Sequence, residues 1–173
     1  SGLESQGQEL ALAAVKDFPA NSTIVVLSAS CSGQLREHQE ALETLQSFKF
    51  YEFAQFVSEQ LQACLPKLRL DSKVALHSSC HSLRESSSNQ AALQILSQIK
   101  DLEVLQPERL DECCGFGGSF STSFSELSID MGTDKLSYIE QLSVSRVVAV
   151  DSSCLIHLKG IQQAQQNTAN WQF

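Results

Sequence analysis

The sequence predicts an α/β protein with parallel-sheet, Rossmann-like layers, helices on both faces, and cysteines gathered at the C-terminal edge of the strands. Three observations carry that expectation. The runs Ile24-Val25-Val26-Leu27, Val74-Ala75-Leu76 and Val147-Val148-Ala149-Val150 are continuously apolar, as strands buried on both faces are. Stretches with helical spacing lie between them. Hydrophobic residues make up 42% of 173 positions, enough for one ordinary core.

In chain order, the pattern predicts a helix over 5–17, a strand over 23–28, helices over 32–46 and 51–64, and a strand over 73–77. A helix over 89–99, a strand over 102–105, a helix over 120–142, a strand over 145–150 and a helix over 155–165 come next. Pro19, Pro66 and Pro107 fall in the connections, where residues that break regular structure belong. Ser86-Ser87-Ser88-Asn89 offers an N-cap to the helix over 89–99. Within 51–64, Phe53, Phe56, Val57, Leu61 and Cys64 share one helical face, which makes Cys64 a core thiol. Phe120, Phe124, Leu127 and Met131 form a similar stripe in 120–142.

One unit is used three times. Ile24 to Ser30 leads into Cys31, Val74 to Ser79 into Cys80, and Val147 to Ser153 into Cys154. Each is a short apolar run, a small polar turn, then a cysteine at the start of a segment that can be helical. Open parallel sheets bind ligands beyond the carboxyl ends of their strands. The pair Cys113-Cys114 comes after the strand over 102–105, so all these thiols are expected at one edge.

Adjacent cysteines seldom bond to each other, because the intervening peptide strains the ring. A chain of this size and apolarity does not need covalent staples. No apolar run is long enough to span a bilayer, no signal peptide is expected, and the start at Ser1-Gly2 is what a trimmed chain or fragment is expected to show. A cytoplasmic, reducing setting is the expectation, where thiols act as ligands or nucleophiles. The net charge of −8 and the scattered Lys and Arg exclude a nucleic-acid partner.

Thiolates are favoured near helix N-termini and select soft metals. Cys80, Cys113, Cys114 and Cys154 satisfy either zinc or an iron–sulfur cluster on charge and count. The chain lacks the paired Cys knuckles usual for structural zinc. Gly115, Gly117 and Gly118 allow positive φ and close approach to a cofactor, with N–H groups available to cluster sulfides. His77 and His81 flank Cys80 as candidate functional groups, together with Arg84 as an anion-binding cation. His38 and His157 are assigned surface or packing roles.

Cys113-Cys114-Gly115-Phe116-Gly117-Gly118-Ser119-Phe120-Ser121, with Leu76-His77-Ser78-Ser79-Cys80-His81 before it and Asp151-Ser152-Ser153-Cys154-Leu155 after it, resembles the lactate-utilisation protein A family. That family sits among the cysteine-rich CCG-domain proteins, with the glycolate oxidase iron–sulfur subunit and the CCG-containing chain of heterodisulfide reductase. The resemblance implies a doubled pattern, with residues 1–70 as the remainder of a first half and 71–173 as the second, together one compact unit. It implies an iron–sulfur subunit of a cytoplasmic complex oxidising L-lactate or a related 2-hydroxy acid. Electrons would pass through a [4Fe–4S]-type cluster on Cys80, Cys113, Cys114 and Cys154 to companion iron–sulfur and third subunits. Asp151 and Ser28 stand where the fullest motif has a further cysteine, which sets aside a five-thiolate cluster. Asp151 remains a candidate oxygen ligand or turn residue, and Cys31 a candidate ligand of the first half. A zinc-binding docking module and a thiol-based redox enzyme, with Cys113 or Cys114 as nucleophile and His81 as base, are the alternatives.

Overall fold

A computed structural model describes residues 3–84, 86–165 and 171–173. It is α/β, with every strand pairing parallel: β1 (Thr23–Val26) with β2 (Lys49–Glu52), and β3 (Arg69–Leu76) between β4 (Lys100–Leu105) and β5 (Arg146–Val148). Helices α1 (Glu4–Val15), α2 (Ala29–Ala41), α3 (Phe53–Gln60), α4 (Cys80–Arg84), α5 (Ser88–Leu96), α6 (Ser119–Ser123), α7 (Ser125–Glu140) and α8 (Ser152–Ala164) flank them.

The strands thus form two small sheets, of two and three strands, instead of one. The second strand of the first sheet falls where the periodicity predicted the start of a helix. Lys49-Phe50-Tyr51-Glu52 alternates in burial, with Phe50 and Glu52 inward, and four residues are too few for that alternation to stand out against the helix behind it. Glu52 then turns its carboxylate onto the amides of Ala54 and Gln55, capping α3. Burial raises the Glu52 carboxyl above its ordinary value, partly offset by those amides.

Three clusters make up the core. Ala11, Val15, Leu45, Phe48 and Phe50 close one side of the first sheet. Ala54, Leu76, Ala91 and Ala92 fill the space between α3, α5 and the central strand. The third cluster joins Ala75 and Val147 to Leu136, Ile139, Leu158 and Ile161 of α7 and α8, and includes Cys114 and Cys154.

Two expected core stripes are corrected. Cys64 is exposed, as are Phe53 and Leu61. Helix α3 stops at Leu61, whose backbone leaves the helical region, and a short 3₁₀ turn over Gln62–Cys64 rotates the thiol off the buried face. Phe124 likewise interrupts the helix expected over 120–142, with φ of −132° and ψ of 55° between α6 and α7. It and Leu127 point to solvent, although Phe124 keeps a ring contact with Phe120 at 5.5 Å. Ser87 occupies the N-cap of α5, but no side-chain capping bond forms there. No helix among the described residues is long and apolar enough to cross a membrane.

Candidate metal centre

The three repeated turns meet at the carboxyl ends of β1, β3 and β5. The His77 amide donates to the Val148 carbonyl at 2.8 Å, extending the β3–β5 pairing one step past the strand and fixing where the second turn begins. Cys80 opens α4, and Cys154 lies in the first turn of α8.

One carboxylate ties the turns together. Asp151 is buried at 2% exposure and belongs to the third turn. Its Oδ1 accepts from Ser28 Oγ at 2.6 Å and from the Ser30 amide and hydroxyl, both at 3.3 Å, while Oδ2 accepts from Ser79 Oγ. Although it is the N-cap residue of α8, it makes no capping bond to its own helix. Burial pushes the Asp151 carboxyl up, but the hydrogen bonds from Ser28, Ser79 and Ser30 outweigh it and hold the group below its ordinary value. Both oxygens therefore serve the turns. Asp151→Ala is expected to leave the buried Ser79 hydroxyl without its acceptor and cost about 1–3 kcal/mol, read as a lower urea midpoint. An unchanged midpoint would show that the turns do not depend on it.

The Cys113-Cys114 loop is held from beneath by α7. Lys135 is fully buried and donates from Nζ to the Arg109 carbonyl at 2.7 Å and to Leu110 at 3.4 Å. Ser128 Oγ donates to the Gly115 carbonyl at 2.8 Å. At Gly132, an added Cβ would sit 2.2 Å from Ile161 Cδ1 and 3.1 Å from the Cys114 carbonyl, so glycine lets the loop lie on the helix. Gly115, Gly117 and Gly118 have φ of 86°, 53° and 60°. The Gly115 amide donates to Cys113 Sγ at 3.4 Å.

These elements enclose a cavity of about 240 Å³ lined by Cys80, Cys113, Cys114 and Cys154, with His81, Gly117, Gly118 and Asp151 on the same wall. The thiols interact in series, Cys80 with Cys113, Cys113 with Cys114, and Cys114 with Cys154. Cys113 is raised by its thiol hydrogen bond with Cys114 and by burial. For Cys114, that hydrogen bond lowers the thiol, but Cys154 and burial override it and push it up to about 12. Burial and Cys113 also raise Cys80. Cys80, Cys113 and Cys114 thus resist becoming anions unless a cation shares the cavity. Soft donors at that density fit a thiophilic metal group.

His77 stands behind this wall, fully buried, with neither ring nitrogen hydrogen-bonded among the described residues. Its ligand atom and the sulfurs of Cys114 and Cys154 lie within 4.8 Å of one another. Burial, then the Lys135 charge, lower its pKa to about 3, so the ring is neutral. His81 Nδ1 contacts Cys80 Sγ at 3.5 Å. Arg84 is exposed, and its charge favours the Cys80 thiolate. Cys31 is exposed and lines a neighbouring groove with His38 and His81, apart from the four sulfurs. His157 packs on Phe116 and meets Ser128 Oγ at 3.2 Å, a packing role.

Lys135, Ser128 and Gly132 escaped sequence reasoning. Their signal was present: Ser128, Gly132, Lys135 and Ile139 share the spacing of one helical face, and all are buried or packed against α8 and the cysteine loop. Small and charged residues on an otherwise apolar stripe mark a close approach.

A parallel α/β fold whose repeated turns deliver thiols to one cavity defines a cysteine-rich domain protein, and residues 74–159 match the family described as CCG, cysteine-rich domain. Three relatives share one name. Lactate utilization protein A of Anoxybacillus flavithermus (strain DSM 21510 / WK1) is 31% identical over 169 residues, covering 92% of this chain and 71% of that protein. The proteins of the same name from Geobacillus sp. (strain WCH70) and Geobacillus kaustophilus (strain HTA426) are 26% and 28% identical, with the same coverage. The chain belongs to the lactate utilization protein A family.

Proposed function

We propose that this chain is the iron–sulfur subunit of a cytoplasmic system for oxidising L-lactate or a related 2-hydroxy acid. The convergence of Cys80, Cys113, Cys114 and Cys154 on one cavity carries the reading. These four sulfurs would hold a [4Fe–4S]-type cluster, which supplies one-electron transfer when bound. The likeness to proteins named for lactate utilization supports the substrate class.

The protein's own groups set the conditions for that transfer. Asp151 fixes the turns bearing Cys80 and Cys154, and Lys135 fixes the loop bearing Cys113 and Cys114. The Lys135 charge also acts on Cys113 and Cys114, which favours their anionic form. The Gly115 amide stabilises charge on Cys113 Sγ. Cys80, with Gly117 and Gly118, lies at the more exposed side, where companion iron–sulfur and third subunits would exchange electrons.

A thiol-based enzyme needs a depressed thiol pKa, and Cys80, Cys113 and Cys114 are all raised. His81 Nδ1 lies beside the Cys80 sulfur, itself a raised thiol. Anaerobic purification of the chain with iron, sulfide and zinc analysis tests the proposal. The expected product is brown, with iron and acid-labile sulfide in equal amounts. A colourless protein holding zinc alone, after anaerobic reconstitution with iron and sulfide, overturns it.

A further inference from the structure

We infer that His77 is a metal donor beside this cavity, completing a buried His77–Cys114–Cys154 set that takes a single soft divalent ion when no cluster fills the cavity. The inference rests on the proposed function only in that the cavity binds metal.

The first support is placement. His77, Cys114 and Cys154 offer ligand atoms within 4.8 Å of one another, and all three residues are buried. One imidazole and two thiolates around an ion need donor spacings below that limit, reached by small side-chain adjustments.

The second support is the state of the imidazole. Neither Nδ1 nor Nε2 has a partner among the described residues, and both are closed off from solvent. Buried polar groups are nearly always paired, and a native exception calls for an ion, a water or a catalytic role. The neighbouring serines do not supply the partner. Ser79 Oγ is committed to Asp151, and Ser78 Oγ donates to Asn89 Oδ1 at 2.8 Å. A metal beside Cys114 and Cys154 would give His77 the partner it lacks.

The third support is what the repeated unit does at this position. Three residues before each cysteine stand Ser28, His77 and Asp151. Ser28 and Asp151 bond to each other, so those two positions are spent on holding the turns. His77 occupies the corresponding position in the second unit and enters no such bond. It faces the two sulfurs set deepest in the core.

Cobalt(II) alone, added to the reduced metal-free chain under argon, gives the test through its ligand-field spectrum. The expected result is tight binding with sulfur-to-cobalt charge transfer and bands of mixed nitrogen and sulfur coordination. His77→Ala should weaken binding at least tenfold and shift the bands toward sulfur-only coordination, while His77→Cys restores affinity with a more sulfur-rich spectrum. Circular dichroism of each variant reports folding. In the unaltered chain, ¹¹³Cd(II) with ¹⁵N-histidine should show a one-bond cadmium–nitrogen coupling to one of the four histidines, which needs no variant. Cobalt bound equally well by folded His77→Ala, or cadmium bound without nitrogen coupling, overturns the role of His77 and leaves a cysteine-only centre. No binding of either ion by the parent chain overturns this inference together with the metal reading. Iron and sulfide counts on the reconstituted parent decide the cluster separately.

Discussion

Cys114→Ser is expected to abolish most iron and sulfide uptake while the chain still folds. Cys114 is the sulfur at which the site converges. It interacts with both Cys113 and Cys154, lies within 4.8 Å of His77, and packs in the core between the second sheet, α7 and α8. Serine keeps the size but offers a hard oxygen in place of a soft thiolate, a poor ligand for the metals this cavity selects. Placing a hydroxyl in that apolar cluster costs about 1–3 kcal/mol, too little to unfold an ordinary domain. The measurement is iron and sulfide per chain after anaerobic reconstitution, with circular dichroism as the folding control. Cys64→Ser supplies the contrast, since Cys64 is exposed. It is expected to keep full metal content and to shift stability by no more than about 0.5 kcal/mol. Unchanged iron in Cys114→Ser would remove this residue from the centre.

Gly115→Ala is expected to damage stability and metal uptake together. The backbone there has φ of 86°, and a Cβ would lie 2.3 Å from the Ser128 carbonyl oxygen. That oxygen belongs to α7, so relief requires moving the loop away from the helix. Left-handed strain contributes about 1–2 kcal/mol, and the backbone clash brings the total to about 3 kcal/mol or more. For a chain of this size the melting temperature should fall by about 6–12 °C. The shift would also displace Cys113 and Cys114, which immediately precede the glycine. Gly118→Ala separates the two causes. Its φ is 60° and ψ −109°, a conformation residues with a Cβ rarely adopt, but no atom lies within 4 Å of the added carbon, so it should lose about 1–3 kcal/mol from strain alone. Equal losses from the two substitutions would show that the contact with Ser128 is unimportant.

The legible part of the fold was the part written in contiguous residues. Val74-Ala75-Leu76 and Val147-Val148 read as buried strands because their apolar runs are unbroken, and both occupy the second sheet. Lys49–Glu52 did not, because a four-residue strand between helices carries little alternation of its own. The stripes through Cys64 and Phe124 failed for a related reason. Periodicity assumes that the helix continues, and in both places one residue leaves helical geometry and rotates the residues after it.

The cysteines themselves were visible by residue type and by the repeated strand, turn and cysteine unit. Their mutual geometry was not. The chain order separates Cys80 from Cys154, and only the parallel pairing of β3 with β5 sets their turns side by side. The same pairing placed Asp151 against Ser79, and the turn after β1 in the other sheet brings Ser28 and Ser30 to the same carboxylate, so a residue that sequence offered as an oxygen ligand or a turn residue is the tie between three turns. The β3–β5 pairing also placed His77 behind the sulfurs without a partner among the described residues.

Sequence by itself determined the fold class, the family and the chemical character of the site, because each depends on residue type and local order. Tertiary structure alone decided which thiols share a cavity, which carboxylate holds the turns, and which imidazole faces the sulfurs. Those are distances between residues far apart in the chain, and they exist only once the strands have paired and the helices have closed over them.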